Sequence, residues 1–64
     1  MPGKTVYVEV VERGEAGHLF VGYVDNTTNC FYDLQDLIDF LIDHEVTDCD
    51  QIWDYLEGWE EELA

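Results

Sequence analysis

The stretch from Thr47 to Leu63 constrains this chain most, because its apolar and acidic residues both recur at the helical period, on opposite sides. At about 100° per residue, Ile52, Leu56, Trp59 and Leu63 share one stripe, while Asp50, Asp54, Glu57 and Glu61 line up opposite. The segment is expected to be a helix capped by Thr47, with Asp48 and Asp50 in its first turn; it either runs on through Gly58, the favoured reading because Trp59 and Leu63 continue the stripe, or ends at Glu57 and leaves Trp59 to Ala64 as a packed tail. With a rise of ~1.5 Å per residue, successive carboxylates stand roughly 5 to 6 Å apart along the axis, inside the ~8 Å screening length of physiological salt. No Lys or Arg lies among them. Like charges at this spacing cost a helix a few tenths of a kcal/mol per pair, so the face weakens the isolated protein and points to a partner as the source of a compensating gain.

A second helix is expected just before it. Asp33 suits its N-cap, and Leu34, Leu37, Ile38, Leu41 and Ile42 follow the spacing of a core-facing stripe. Asp36, Asp39 and Asp43 take the far side, with Asp33 at the edge. On this wheel Phe40 projects near those acids, and Trp53 flanks the second acidic row near Glu57 and Glu60. Both aromatics fit either partner anchors among charged groups or packing at the edge of the core. His44-Glu45-Val46 closes the helix.

The first half reads as strands. Thr5 to Glu12 is β-branched and aromatic, with Val6, Val8 and Val10 on one face. Arg13 to Gly17 turns the chain, and His18 to Val24 returns as the other arm of an antiparallel hairpin. Gly22 in that arm suggests a bulge or a close approach by a helix. Asp25 to Thr28 is a second polar turn, and Asn29 to Tyr32 a short third strand. The expected fold class is α+β: a small antiparallel sheet of two or three strands, then two helices packed on one of its faces.

At 64 residues the chain is one small domain over 1–64, with a formal charge of −14 from sixteen acidic and two basic residues. A hydrophobic fraction of 47% argues against acidic disorder. Length scaling gives a radius of gyration near 11 Å and a diameter of roughly 28 Å. A duplex segment that long carries about 16 charges at one per ~1.7 Å, close to the charge here.

Several functions are disfavoured. Met1 to Lys4 leads straight into the first strand rather than into an apolar leader, and no apolar run is long enough for a membrane span, so a cytoplasmic setting is expected. Cys30 and Cys49 are expected to be free thiols and small buried hydrophobes. No nucleophile and base pair, glycine-rich phosphate loop or basic patch is evident, which disfavours an enzyme, a cofactor and direct nucleic-acid binding. Asp48, Asp50, Asp54 and Glu57 are rich in oxygen ligands but lack the loop grammar of a calcium site.

In size, charge and layout, with the rows Asp33/Asp36/Asp39/Asp43 and Asp50/Asp54/Glu57/Glu61, the chain resembles the small acidic DNA-mimic proteins that phages and mobile elements turn against host defences, the anti-restriction proteins and anti-CRISPRs. The resemblance implies a non-enzymatic inhibitor that occupies the nucleic-acid channel of a nuclease or CRISPR effector in the host cytoplasm. Its partner would be a basic nucleic-acid-binding protein, with the two acidic rows, Phe40 and Trp53 as the contact surface. Two other readings fit the same residues: an adaptor or antitoxin-like protein for a basic protein partner, and a salt-adapted acidic domain without mimicry.

Overall fold

A computed structural model describes residues 5–64; the leader reading of Met1 to Lys4 lies outside the described residues. Three strands, β1 (Val6–Glu12), β2 (His18–Val24) and β3 (Thr27–Phe31), form an antiparallel meander in the order β1-β2-β3. Two helices follow, α1 (Leu34–Asp43) and α2 (Asp50–Leu63). The α+β layout expected from the sequence is thus the one observed, with three strands in the sheet.

The connections explain the register. A single 3-10 turn at Gly14–Ala16, entered at φ 59° by Gly14 and left at φ 89° by Gly17, joins β1 to β2 and pairs Glu12 with His18. Between β2 and β3 the turn is only two residues, Asp25 and Asn26, both left-handed at φ 44° and 74°. Such a turn matches the twist of the flanking strands. It leaves Thr27 and Thr28 free to pair with Val24 and Tyr23, so β3 starts two residues earlier than the polar composition suggested. Asp25 also ties the turn to β1: its carboxylate accepts from the Thr5 amide at 2.9 Å.

Alternation along the paired strands divides the sheet into two faces. Val6, Val8 and Val10 lie beside Val24, Gly22 and Phe20, and Phe31 extends this row on β3. Both helices cover this face. Phe20, Val24, Leu34, Leu37, Phe40, Leu41, Val46 and Leu56 form one buried cluster. Gly22 is where α1 comes closest, since a Cβ there would stand 2.6 Å from Leu37 Cδ1 and 3.1 Å from the Phe40 ring. The close approach expected from a glycine in a strand is therefore present.

That close approach corrects the reading of Phe40. Its ring occupies the space above Gly22, packs tilted against Phe31 at 5.5 Å and His44 at 4.6 Å, and is 9% exposed. Phe40 belongs to the core and is not a partner anchor. Because the buried stripe of α1 rotates toward Phe40, Ile42 on its other flank, assigned to the core from its spacing, turns outward and is 56% exposed.

Helix α1 starts on Asp33, whose carboxylate accepts from the Gln35 amide at 3.3 Å. It ends with two backbone bonds, Glu45 N–H to the Ile42 carbonyl and Val46 N–H to the Leu41 carbonyl, each 2.9 Å, around a left-handed Glu45 at φ 59°. This arrangement satisfies orphan carbonyls and drops Val46 into the core. Thr47 and Asp48 then carry the chain back to the surface, so α2 begins at Asp50 with Cys49 as its N-cap; Thr47 does not cap it. Helix α2 runs unbroken through Gly58.

The cysteines sit on opposite faces of the sheet and are both free. Cys30 pairs with Val21 on the face away from the helices and is exposed, contrary to its expected burial, because the alternation that sends Phe31 inward sends Cys30 outward. Cys49 is half-buried against the core.

Candidate partner surface

All sixteen carboxylate side chains are exposed, as they must be when so few cations exist to pair with them. Twelve of them, from Asp33 to Glu62, lie in the helical half of the chain. On α1 the residues turned away from the sheet are Gln35, Asp36, Asp39, Ile42 and Asp43. On α2 the outward row is Asp50, Asp54, Glu57 and Glu61, opposite the buried Leu56 and the half-buried Ile52 and Trp59. Each acidic row is therefore exposed, on the side of its own helix away from the buried stripe.

Few of these acids are occupied. Asp33 caps α1, and Asp39 accepts from the Gln35 side-chain amide at 3.0 Å, one turn earlier. Among the described residues, Asp36, Asp43, Asp50, Asp54, Glu57 and Glu61 take part in no side-chain hydrogen bond or ion pair. The ion-pair contact seen there is His18 Nε2 to Glu12 Oε1 at 3.7 Å, at the far end of the β1–β2 hairpin. Among the described residues, the rows present carboxylate oxygens with no cation paired to them.

Trp53 does not stand free among the acids. Its ring packs half-buried on the core, and its Nε1–H donates to the Val46 carbonyl at 3.1 Å. It pins α2 to the end of α1, and only part of its ring reaches solvent. Leu63, placed in the buried stripe by periodicity, is 44% exposed at the end of α2. The apolar groups the layer does offer are Ile42 beside Asp43, Tyr55 at 42% exposure beside Asp54, and Tyr32 at 77% just ahead of Asp33. Sequence reasoning singled out none of the three as an exposed apolar group. A signal for Ile42 was present in Gly22, which drew the α1 stripe toward Phe40 and away from Ile42; nothing comparable singled out Tyr55.

A groove of about 380 Å³ runs between the start of α1 and the end of α2, walled by Phe20, Leu34, Ile38 and Leu63, with Asp33 and Glu60 on its rim. Among the described residues no group of three or more His, Cys, Asp or Glu is arranged to hold a metal ion, and no helix is long and apolar enough to cross a membrane.

Length changes the charge comparison with a duplex. The molecule measures 42 × 22 × 15 Å with a radius of gyration of 11.7 Å, longer than the near-spherical estimate. Fourteen net charges over 42 Å are roughly one per 3 Å, about half the ~1.7 Å density of a duplex and close to the ~3.4 Å spacing of a single strand within it. The match to a duplex computed for a sphere is corrected accordingly. Compared with known protein families, curated proteins and solved structures, the chain matches none.

Proposed function

We propose that this protein is a non-enzymatic inhibitor that imitates one phosphate track of DNA and blocks the nucleic-acid channel of a host defence complex, of the anti-CRISPR or anti-restriction type. One observation carries the reading: each helix leaves a row of exposed carboxylates on the side away from its buried stripe, and among the described residues those rows meet no cation. Carboxylates on such a surface stand in for phosphates opposite the Lys and Arg of a DNA-binding channel. An overall charge density near that of one strand supports imitation of a single phosphate track rather than of both. Ile42, exposed beside the α1 row, supplies apolar contact once the charges have steered the encounter.

The density being half that of a duplex favours a second reading, an adaptor or antitoxin-like protein for a basic partner that is not a DNA channel. The two readings separate in a competition assay between this protein and DNA for the captured target, run at low and at physiological salt. Mimicry predicts that inhibitor and DNA exclude each other, that affinity falls steeply with salt, and that Asp54→Lys with Glu57→Lys abolishes inhibition. A target that takes up DNA normally with the protein bound, or a charge-reversed protein that competes like wild type, rules mimicry out; the first result favours the adaptor.

A further inference from the structure

Among the described residues, no helix or loop covers the face of the sheet away from the helices. Register places Tyr7, Val11, Leu19, Val21, Tyr23 and Cys30 on it, with Glu9 and Thr28 between them. Leu19, Val21 and Tyr23 on the central strand are half-buried by their neighbours alone, whereas Tyr7 is 55% exposed and Val11 37%. Glu9 is the one strand carboxylate here; it lies on the outer strand β1 and accepts a hydrogen bond from the Tyr7 hydroxyl at 3.3 Å. An antiparallel sheet with one solvated face ordinarily alternates apolar inside with polar outside. This one is apolar on both faces.

We propose that this face is the interface with a second copy of the chain, the two sheets packing back to back around a two-fold axis with the acidic helix layers outward. Charge distribution selects that occupant. A basic partner is drawn to the helix layer, where twelve of the sixteen acids lie, and finds little on the sheet face to attract it. A second copy brings the same apolar face, self-complementary about the axis. Sheets packed ~10 Å apart, each backed by a helix layer at a similar distance, hold the two acidic surfaces roughly 30 Å from each other, several times the ~8 Å screening length at physiological salt.

Size sets the strength. Three strands ~4.8 Å apart, about seven residues long at ~3.4 Å each, give a face of roughly 14 by 24 Å, or on the order of 500 Å² per copy with side-chain relief. Two such faces bury about 1,000 Å², the lower end for a specific interface, so the dimer is weak and concentration-dependent. Its salt response is opposite to that of binding through the acids: the screening length shrinks from ~30 Å at 0.01 M to ~8 Å at 0.15 M, so added salt strengthens the dimer while weakening capture of a basic target.

Sedimentation velocity on the full chain tests this, from about 0.01 to about 1 mM protein, the range in which an interface of this size associates. The expected result is a shift to twice the monomer mass that grows with protein and with salt. Val21→Lys should abolish it; its ammonium pairs with Glu9 across the strands in the monomer, so the fold survives, but dimerisation would then have to strip water from that ion pair at the centre of the interface. Val11→Lys, at an exposed position of the same face, should weaken it at least tenfold. Asp54→Lys with Glu57→Lys, on the other layer, should leave it intact even if those changes fail to affect inhibition, so the two ideas fail separately. A chain monomeric at the highest concentration and salt overturns the proposal. So does a dimer that both lysine variants leave unchanged, which would put the contact on the helix layer or a strand edge.

Discussion

Phe40 and Gly22 act as one packing unit: the missing side chain on β2 is the volume the phenyl ring fills. Phe40→Ala is therefore expected to cost about 3 to 5 kcal/mol, enough to unfold most of a domain this small, rather than to weaken a partner contact alone. Gly22→Ala should cost about 1 to 3 kcal/mol by overpacking against Leu37 and Phe40. Chemical denaturation of both variants checks the pair; a Phe40→Ala protein as stable as wild type would return the residue to the surface. On the opposite face, the Glu9 carboxylate beside Tyr7 raises its phenol above the ordinary value of 10.0, helped by slight desolvation, the hydrogen bond to Glu9 and the nearby Tyr55. The folded pKa exceeds the unfolded one, so whatever Tyr7 contributes to stability is complete below about pH 10 and is lost as pH rises through the raised value. Glu9→Gln should move the Tyr7 titration, followed by NMR, down toward 10; no movement would assign the shift to another source.

Helix ends and interiors here depart from their best residues, and each departure has a measurable sign. Gly58 lies inside α2 with open space where a Cβ would go, so Gly58→Ala should stabilise by about 1 kcal/mol. Glu45 holds the left-handed position that ends α1, where a residue with a Cβ is strained by roughly 1 to 2 kcal/mol, and it adds a negative charge at the negative end of the helix dipole. Glu45→Gly should therefore also stabilise. Thermal melts of the two single variants and the double give the answer, with near-additive gains expected because separate features are relieved. A loss of stability at Gly58→Ala would mean that the glycine serves a conformational change absent from the folded state described here. Helix α2 starts later than a Thr47 cap would have it because N-cap preference is local, whereas the position of Cys49 follows from burying Val46 and from the bond between Trp53 and its carbonyl.

For the molecule as a whole, the dominant unfavourable term is repulsion within the helix layer. Screening it should recover about 1 kcal/mol, which for a domain of this length raises the melting temperature by roughly 4 to 8 °C between low and physiological salt. A melting temperature flat over that range would mean that the charges are too dispersed to interact. The salt-adapted reading predicts a stronger outcome, a chain largely unfolded at low salt. The melting experiment thus distinguishes that reading from both partner-binding readings without any partner in hand.

Periodicity determined the elements and, with them, the side on which each acid lies. A strand repeats every two residues and a helix every 3.6, so Val6/Val8/Val10 and Asp50/Asp54/Glu57/Glu61 declare their faces with no knowledge of what covers them. Charge made the outcome firmer still, because a carboxylate without a cation has no stable place but the surface. Tertiary structure decided whatever depends on two elements meeting. Phe40 lies at the margin of its own helical stripe, and only the space above Gly22 on another element draws it inside and turns Ile42 out. The third strand's early start and the open apolar face likewise belong to the sheet, because strand pairing and the coverage of one face by both helices are properties of the assembled fold and not of any single segment.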